Sequence, residues 1–150
     1  MANDIMFPIN KTPSFETLLN IVVEGFEEFL LSTQHLSIGL SAKKGLDLSG
    51  KFIFIQDNYH EYLCWISFNY FEPECRDEVD SNYPVMVGVG YRGEMNKKFT
   101  VLLTYIIAKA LEARVIYDDA YLVQQKDDYP VQELKPFVER YIKELYPLDK

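Results

Sequence analysis

Gly88, Gly90 and Gly93 stand in the order G-x-G-x-x-G, the spacing at which a dinucleotide-binding turn lets backbone N–H groups approach a pyrophosphate. An extended pattern precedes the run, a helical pattern follows it, and Asp118 comes later, where an acid for a ribose would stand. The residues within and around the run argue otherwise. Val85, Val87, Val89 and Tyr91 keep a two-residue alternation, so the strand continues through Gly88 and Gly90, whereas a phosphate-binding turn needs it to end before them. No βαβ unit precedes the run, and Glu94 stands where a phosphate would approach. Glycines within a strand let another backbone or side chain come close. A small nucleotide-binding protein or enzyme using these glycines is the minor alternative.

Other chemistry-bearing residues are sparse. Asp118-Asp119 and Asp127-Asp128 do not follow the acid, glycine and closing-glutamate spacing of a calcium loop. They read as turn residues and a helix cap, with no metal. Arg92, Lys97 and Lys98 gather where the second helix begins, and a helix N-terminus can hold an anion. Exposed lysines beside an acidic loop are the simpler reading. His35 and His60 are the two histidines, and neither sits in H-E-x-x-H. Cys64 lies four residues after His60 on one expected strand, a rise of about 13 Å, too far for a nucleophile and its base. Neither a nucleophile elbow nor a P-loop occurs. The expectation is a chain that is not an enzyme and uses no cofactor.

Charge supplies the stronger signal. The formal net charge is −8, opposite to the basic surplus by which nucleic-acid binders neutralise phosphate. Residues 72–80 hold five acids against one arginine, and residues 117–129 hold four acids against one lysine. Both segments contain or border tyrosines, which suit interfaces because one end of the ring is apolar and the other polar. Glu72, Glu74, Asp77, Glu78 and Asp80 form one candidate binding patch. Asp118, Asp119, Tyr121, Asp127 and Asp128 form the other. The implied partner is a protein with a basic surface, not a nucleic acid or a membrane.

These residues must be positioned by elements legible from periodicity. Hydrophobic residues at 48% of 150 suit a single domain over residues 1–150 with one core. Thr12-Pro13 opens an amphipathic helix running to about residue 32. Strands follow around residues 36–40, 51–56, 59–71 and 85–91, separated by turns and by the acidic segment. Phe99, Leu102, Leu103, Ile106 and Ile107 stripe a second helix over residues 96–113. Short extended pieces at 114–117 and 120–124 come next, with Asp118-Asp119 as their turn. A closing helix carries Val138, Tyr141, Ile142 and Leu145, and Pro136 either begins or breaks it. The order α-β-β-β-β-α-β-β-α predicts an α+β fold, with an antiparallel meander of four to six strands and three helices. Helices on one face of that sheet leave the other face partly free. Two cysteines without a framework read as reduced thiols. Residues 1–11 lack the basic and apolar parts of a signal peptide, and no apolar run spans a bilayer. The expected compartment is the cytoplasm.

The segment YIIAKALEARVIYDD, residues 105–119, resembles a recurrent feature of bacterial toxin immunity proteins of the contact-dependent kind: a long helix, a short strand and an Asp-Asp turn. The resemblance implies an inhibitor that masks a partner toxin, often a nuclease with a basic active site. It carries over no binding residue. In size, acidity and element order the chain is also similar to type III secretion chaperones, from which it departs by an extra strand and by the acidic segment at 72–80. That likeness implies a homodimer wrapping an unfolded effector segment.

Overall fold

Alternating apolar and polar residues dictate the centre of the molecule. In the computed structural model, which describes residues 3–147, β2 (Leu36–Leu40), β3 (Phe52–Asp57), β4 (Tyr62–Tyr70) and β5 (Val85–Tyr91) form an antiparallel meander. Residues 1, 2 and 148–150 of the expected domain lie outside the described residues. Ile53, Ile55, Cys64, Ile66, Phe68, Val87 and Val89 are buried on one face. Helices α1 (Phe15–Glu28), α2 (Lys97–Ala110) and α3 (Lys135–Leu145) complete this α+β arrangement and pack on that face.

The sheet has seven strands in the order β2-β3-β4-β5-β1-β6-β7. Its β1, Asn3–Ile9, was not legible as a strand, yet it pairs with β5 along seven registers from Asn3↔Tyr91 to Ile9↔Val85. Ile5, Phe7 and Ile9 point into the core. Pro8 is tolerated inside this strand because β6 (Ile116–Tyr117) touches β1 at Met6↔Tyr117 and has no ladder bond to give Pro8.

The return strand after β6 also differs from expectation. It is β7, Asp128–Tyr129, not residues 120–124. The backbone N–H groups of Leu122, Val123 and Gln124 donate to the Asp118 carboxylate, which removes them from any ladder.

Local chemistry fixes the helices. Ser14 caps α1, its hydroxyl accepting from the Thr17 N–H at 3.1 Å. Pro136 lies in the first turn of α3, where its missing N–H costs nothing, so it begins the helix and does not break it. Every residue of α2 from Phe99 to Ala108 is buried, because the helix lies on the sheet with α1 and α3 on either side. Its two buried hydroxyls are satisfied internally: Thr100 donates to the Asn96 carbonyl and Thr104 to the Thr100 carbonyl, each at 2.8 Å. Gly25 brings α1 against α2. A Cβ there would stand 2.3 Å from Ile106 Cγ2, so a side chain would force the helices apart.

The helices leave the opposite sheet face bare. Phe52 and Phe54 are 59% and 42% exposed there, and Trp65 beside them is half-buried.

Candidate functional site

The two acidic segments, separate in sequence, meet in the structure. Residues 72–83 leave β4 as a loop folded on itself by two short 3₁₀ turns, Pro73–Cys75 and Glu78–Asp80. Arg76 holds the loop from within. Its Nε donates to the Phe71 carbonyl at 2.6 Å and its Nη1 to the Ser81 carbonyl at 3.2 Å, while the guanidinium lies 5.4 Å over the Tyr70 ring. Asp80 then turns inward and is 1% exposed. Arg114 Nη2 donates to its Oδ1 at 2.5 Å, and the Tyr117 hydroxyl donates to its Oδ2. Tyr117 is the neighbour of Asp118, so this junction pins the first acidic loop beside the second.

Asp118 organises the second segment. It is fully buried and accepts from the N–H groups of Leu122, Val123 and Gln124 at 2.7 to 3.2 Å and from the Tyr129 hydroxyl at 2.7 Å. Four donors around one carboxylate satisfy it without a cation. Burial, with the Asp118 carboxylate as the next cause, pushes the Tyr129 hydroxyl far above its ordinary range. Burial and the Asp80 carboxylate push Tyr117 up to about 12. The hydrogen bond from Arg114 to Asp80 raises the arginine further, so it stays charged.

The ten expected binding residues therefore divide. Asp80 and Asp118 are corrections: both were read as surface charges, and both are internal anchors, because each accepts enough donors to be buried. Glu72, Glu74, Asp77 and Glu78 are exposed, as are Asp119, Asp127 and Asp128. Tyr121 is 46% exposed, and its hydroxyl donates to Asp127 Oδ1 at 2.7 Å. The backbone of Tyr121 is left-handed, with φ of 55°, a turn conformation uncommon for an aromatic residue. Arg114 and Tyr117, which join the segments, were missed. No local signal marks them, since their partner lies 34 and 37 residues away.

The other chemistry-bearing residues are held in structural roles. Gly88 and Gly90 lie inside β5. A Cβ on Gly90 would stand 2.4 Å from Trp65 Nε1 and 2.4 Å from Asp4 Oδ1, so an indole and a carboxylate occupy the space a phosphate would need. His60 lies not on β4 but in the turn before it, where Asp57 accepts from the Tyr59 and His60 N–H groups, the His60 ring at 3.1 Å and the Tyr146 hydroxyl at 2.9 Å. Burial pushes the Asp57 carboxyl up, but these donors outweigh it and hold the group below its ordinary range. The knot fastens α3 to the β3–β4 turn, with the Tyr146 ring edge-on to Phe26. Cys64 is buried, and burial pushes its thiol up, away from the reactive thiolate. Lys98 of the basic cluster is paired with Glu144 at 2.8 Å. Among the described residues, no three His, Cys, Asp or Glu gather as a metal would require, and no helix is long and apolar enough to cross a membrane.

No family model, curated protein or solved structure matches the chain.

Proposed function

We propose that this chain binds and masks a basic protein through its paired acidic loops, as a bacterial immunity protein neutralises its toxin. The observation that carries this reading is the Asp80–Arg114–Tyr117 junction. It ties the loop that carries the exposed Glu72, Glu74, Asp77 and Glu78 to the segment that carries the exposed Asp119, Asp127 and Asp128. Like charges held together on a partly rigid surface repel, and a cationic partner relieves that repulsion. The exposed Tyr121 ring, hydrogen-bonded to Asp127, offers an apolar contact beside that acid. One exposed and one buried free thiol suit the reducing cytoplasm in which such an inhibitor would meet its toxin.

The test uses the product of the reading frame that adjoins this one. The variant carrying Glu72→Gln, Glu74→Gln, Asp77→Asn and Glu78→Gln is expected to associate at least tenfold more slowly in low salt, with a shallower dependence of rate on ionic strength. Stopped-flow association at two salt concentrations measures both. An unchanged rate and salt slope would remove the acidic loops from the interface.

A second reading, a homodimeric secretion chaperone, draws on the bare sheet face with its exposed Phe52 and Phe54. Light scattering separates the two: a monomer at micromolar concentration removes the chaperone.

A further inference from the structure

The bare face of the sheet is built from two adjacent rows of residues. Register places Gly39, Phe54, Trp65, Gly90 and Asp4 in one row across β2, β3, β4, β5 and β1. The next row holds Phe52, Ser67, Gly88, Met6 and Tyr117. Phe52 and Phe54 alternate with the buried Ile53 and Ile55, so β3 is apolar on both faces although only one meets the helices. Solvent gives no reason for that second apolar face, and a contiguous aromatic patch on a sheet is a common form of contact surface.

Trp65 and Asp4 give the patch its chemistry. Trp65 Nε1 and Cε2 stand 2.4 and 2.9 Å from where a Gly90 Cβ would be, and Asp4 Oδ1 also stands at 2.4 Å. The indole therefore reaches over the bare backbone of Gly90 and stays partly open to solvent. A cation sits favourably over the face of an indole ring. Asp4 lies at the rim of the same ring. None of the five ion pairs among the described residues involves it, and Arg92, two residues beyond Gly90 on the chain, does not reach it. Partial burial raises its carboxyl, the direction expected of a carboxylate that lacks a counter-ion.

We propose that this face is a docking surface for an arginine- or lysine-bearing segment, whose cation seats on the Trp65 indole beside the Asp4 carboxylate. The inference rests on the reading that the partner is basic, and it names where one of the partner's cations goes. Charge complementarity selects this occupant over a second copy of the chain. Each copy carries a net −8, and the row through Met6 and Tyr117 leads from the aromatic patch to Asp80 and the exposed acids. A cationic segment crossing the face passes from the aromatic rings of β3 and β4 to the acidic side of the sheet at β1 and β6.

Trp65 is the one tryptophan of the chain, so its fluorescence reports on this face alone. The intact protein is titrated with blocked hexa-arginine, hexalysine and hexaglutamate peptides. A saturable change in Trp65 emission is expected with the two cationic peptides and none with hexaglutamate. Asp4→Asn and, separately, Phe54→Ala should each weaken hexa-arginine binding about three- to tenfold; Phe54 is exposed, so its variant keeps the fold. The variant neutralised at Glu72, Glu74, Asp77 and Glu78 should still give the Trp65 response. Emission unmoved by the cationic peptides, an equal response to hexaglutamate, or variants at Asp4 and Phe54 that bind like the unaltered chain would each overturn the proposal. So would a stable dimer by light scattering with Trp65 shielded from iodide. If the loop variant lost the partner while Trp65 ignored hexa-arginine, the acidic loops would stand as the site and this surface would fall alone.

Discussion

Asp118 takes its hydrogen bonds from residues four to eleven positions further along the chain. Asp80 takes its two from residues 34 and 37 positions away. Both are buried carboxylates within acidic segments, and the contrast in reach separates two jobs. Asp118 replaces a backbone ladder: its oxygens do for Leu122, Val123 and Gln124 what a neighbouring strand would have done. Asp80 joins a loop to a distant strand and so sets where the exposed acids of that loop stand. A fold needs the first kind of anchor to exist, and an interface needs the second kind to have a shape.

That distinction can be broken by substitution. Asp118→Ala strips three backbone donors and the buried Tyr129 hydroxyl of their acceptor at once, and should cost about 3 kcal/mol or more of unfolding free energy. A urea titration measures it, and a loss comparable to that of an exposed acid would mean that water replaces the carboxylate freely. Asp80→Asn should cost less, about 1–2 kcal/mol, because Arg114 is half-exposed and regains water. Its signature would be local. Amide exchange should accelerate over residues 72–83 while α2 stays protected, and uniform acceleration would erase the proposed difference between the two anchors.

Alkaline titration sharpens the same comparison. Burial and Asp80 raise Tyr117 to about 12, above the ordinary tyrosine value of about 10. The folded state therefore keeps the Tyr117 proton longer than the unfolded state. The associated stability is whole below pH 10 and is lost as pH rises through the folded value of Tyr117. Ultraviolet absorbance of the tyrosinates, followed with circular dichroism, should show one tyrosine that ionises earlier in Asp80→Asn than in the unaltered chain. The smallest effect on stability belongs to the four-residue loop variant, whose urea midpoint should stay in place or rise slightly as like-charge repulsion is relieved, while association slows.

Much of the fold was legible because its signals are local. The stripes of α1 and α2 and the alternation of β2 to β5 each lie within one window of sequence. Pro136 was ambiguous, and its place in the first turn of α3 resolves it. The strand β1 was hidden by Pro8, whose cost depends on whether a neighbour asks for its N–H, and that neighbour is 109 residues further on. The expected strand at 120–124 failed for the opposite reason, since a side chain two residues before it captured its donors. The acidic patches could be found as composition, but their division could not. Glu78 and Asp80 look alike in sequence, and only Arg114 and Tyr117 distinguish the exposed acid from the buried one. The second apolar face of β3 was not read from residues 51–56, although Phe52, Ile53, Phe54 and Ile55 run without alternation, a pattern that goes with burial or contact on both sides; only a partly free sheet face was expected.

The position of β1 bears on how the molecule is made. It precedes every other element in the chain, yet its ladders are with residues 85–91 and with Tyr117. During synthesis it has no partner strand until β5 has emerged from the ribosome, and its second side waits longer still. Ile5, Phe7 and Ile9 travel unpaired through that interval. Closing so long a loop costs entropy, so insertion of this strand is expected as a late step of folding, which pulse-labelled amide exchange at Ile5, Phe7 and Ile9 would time.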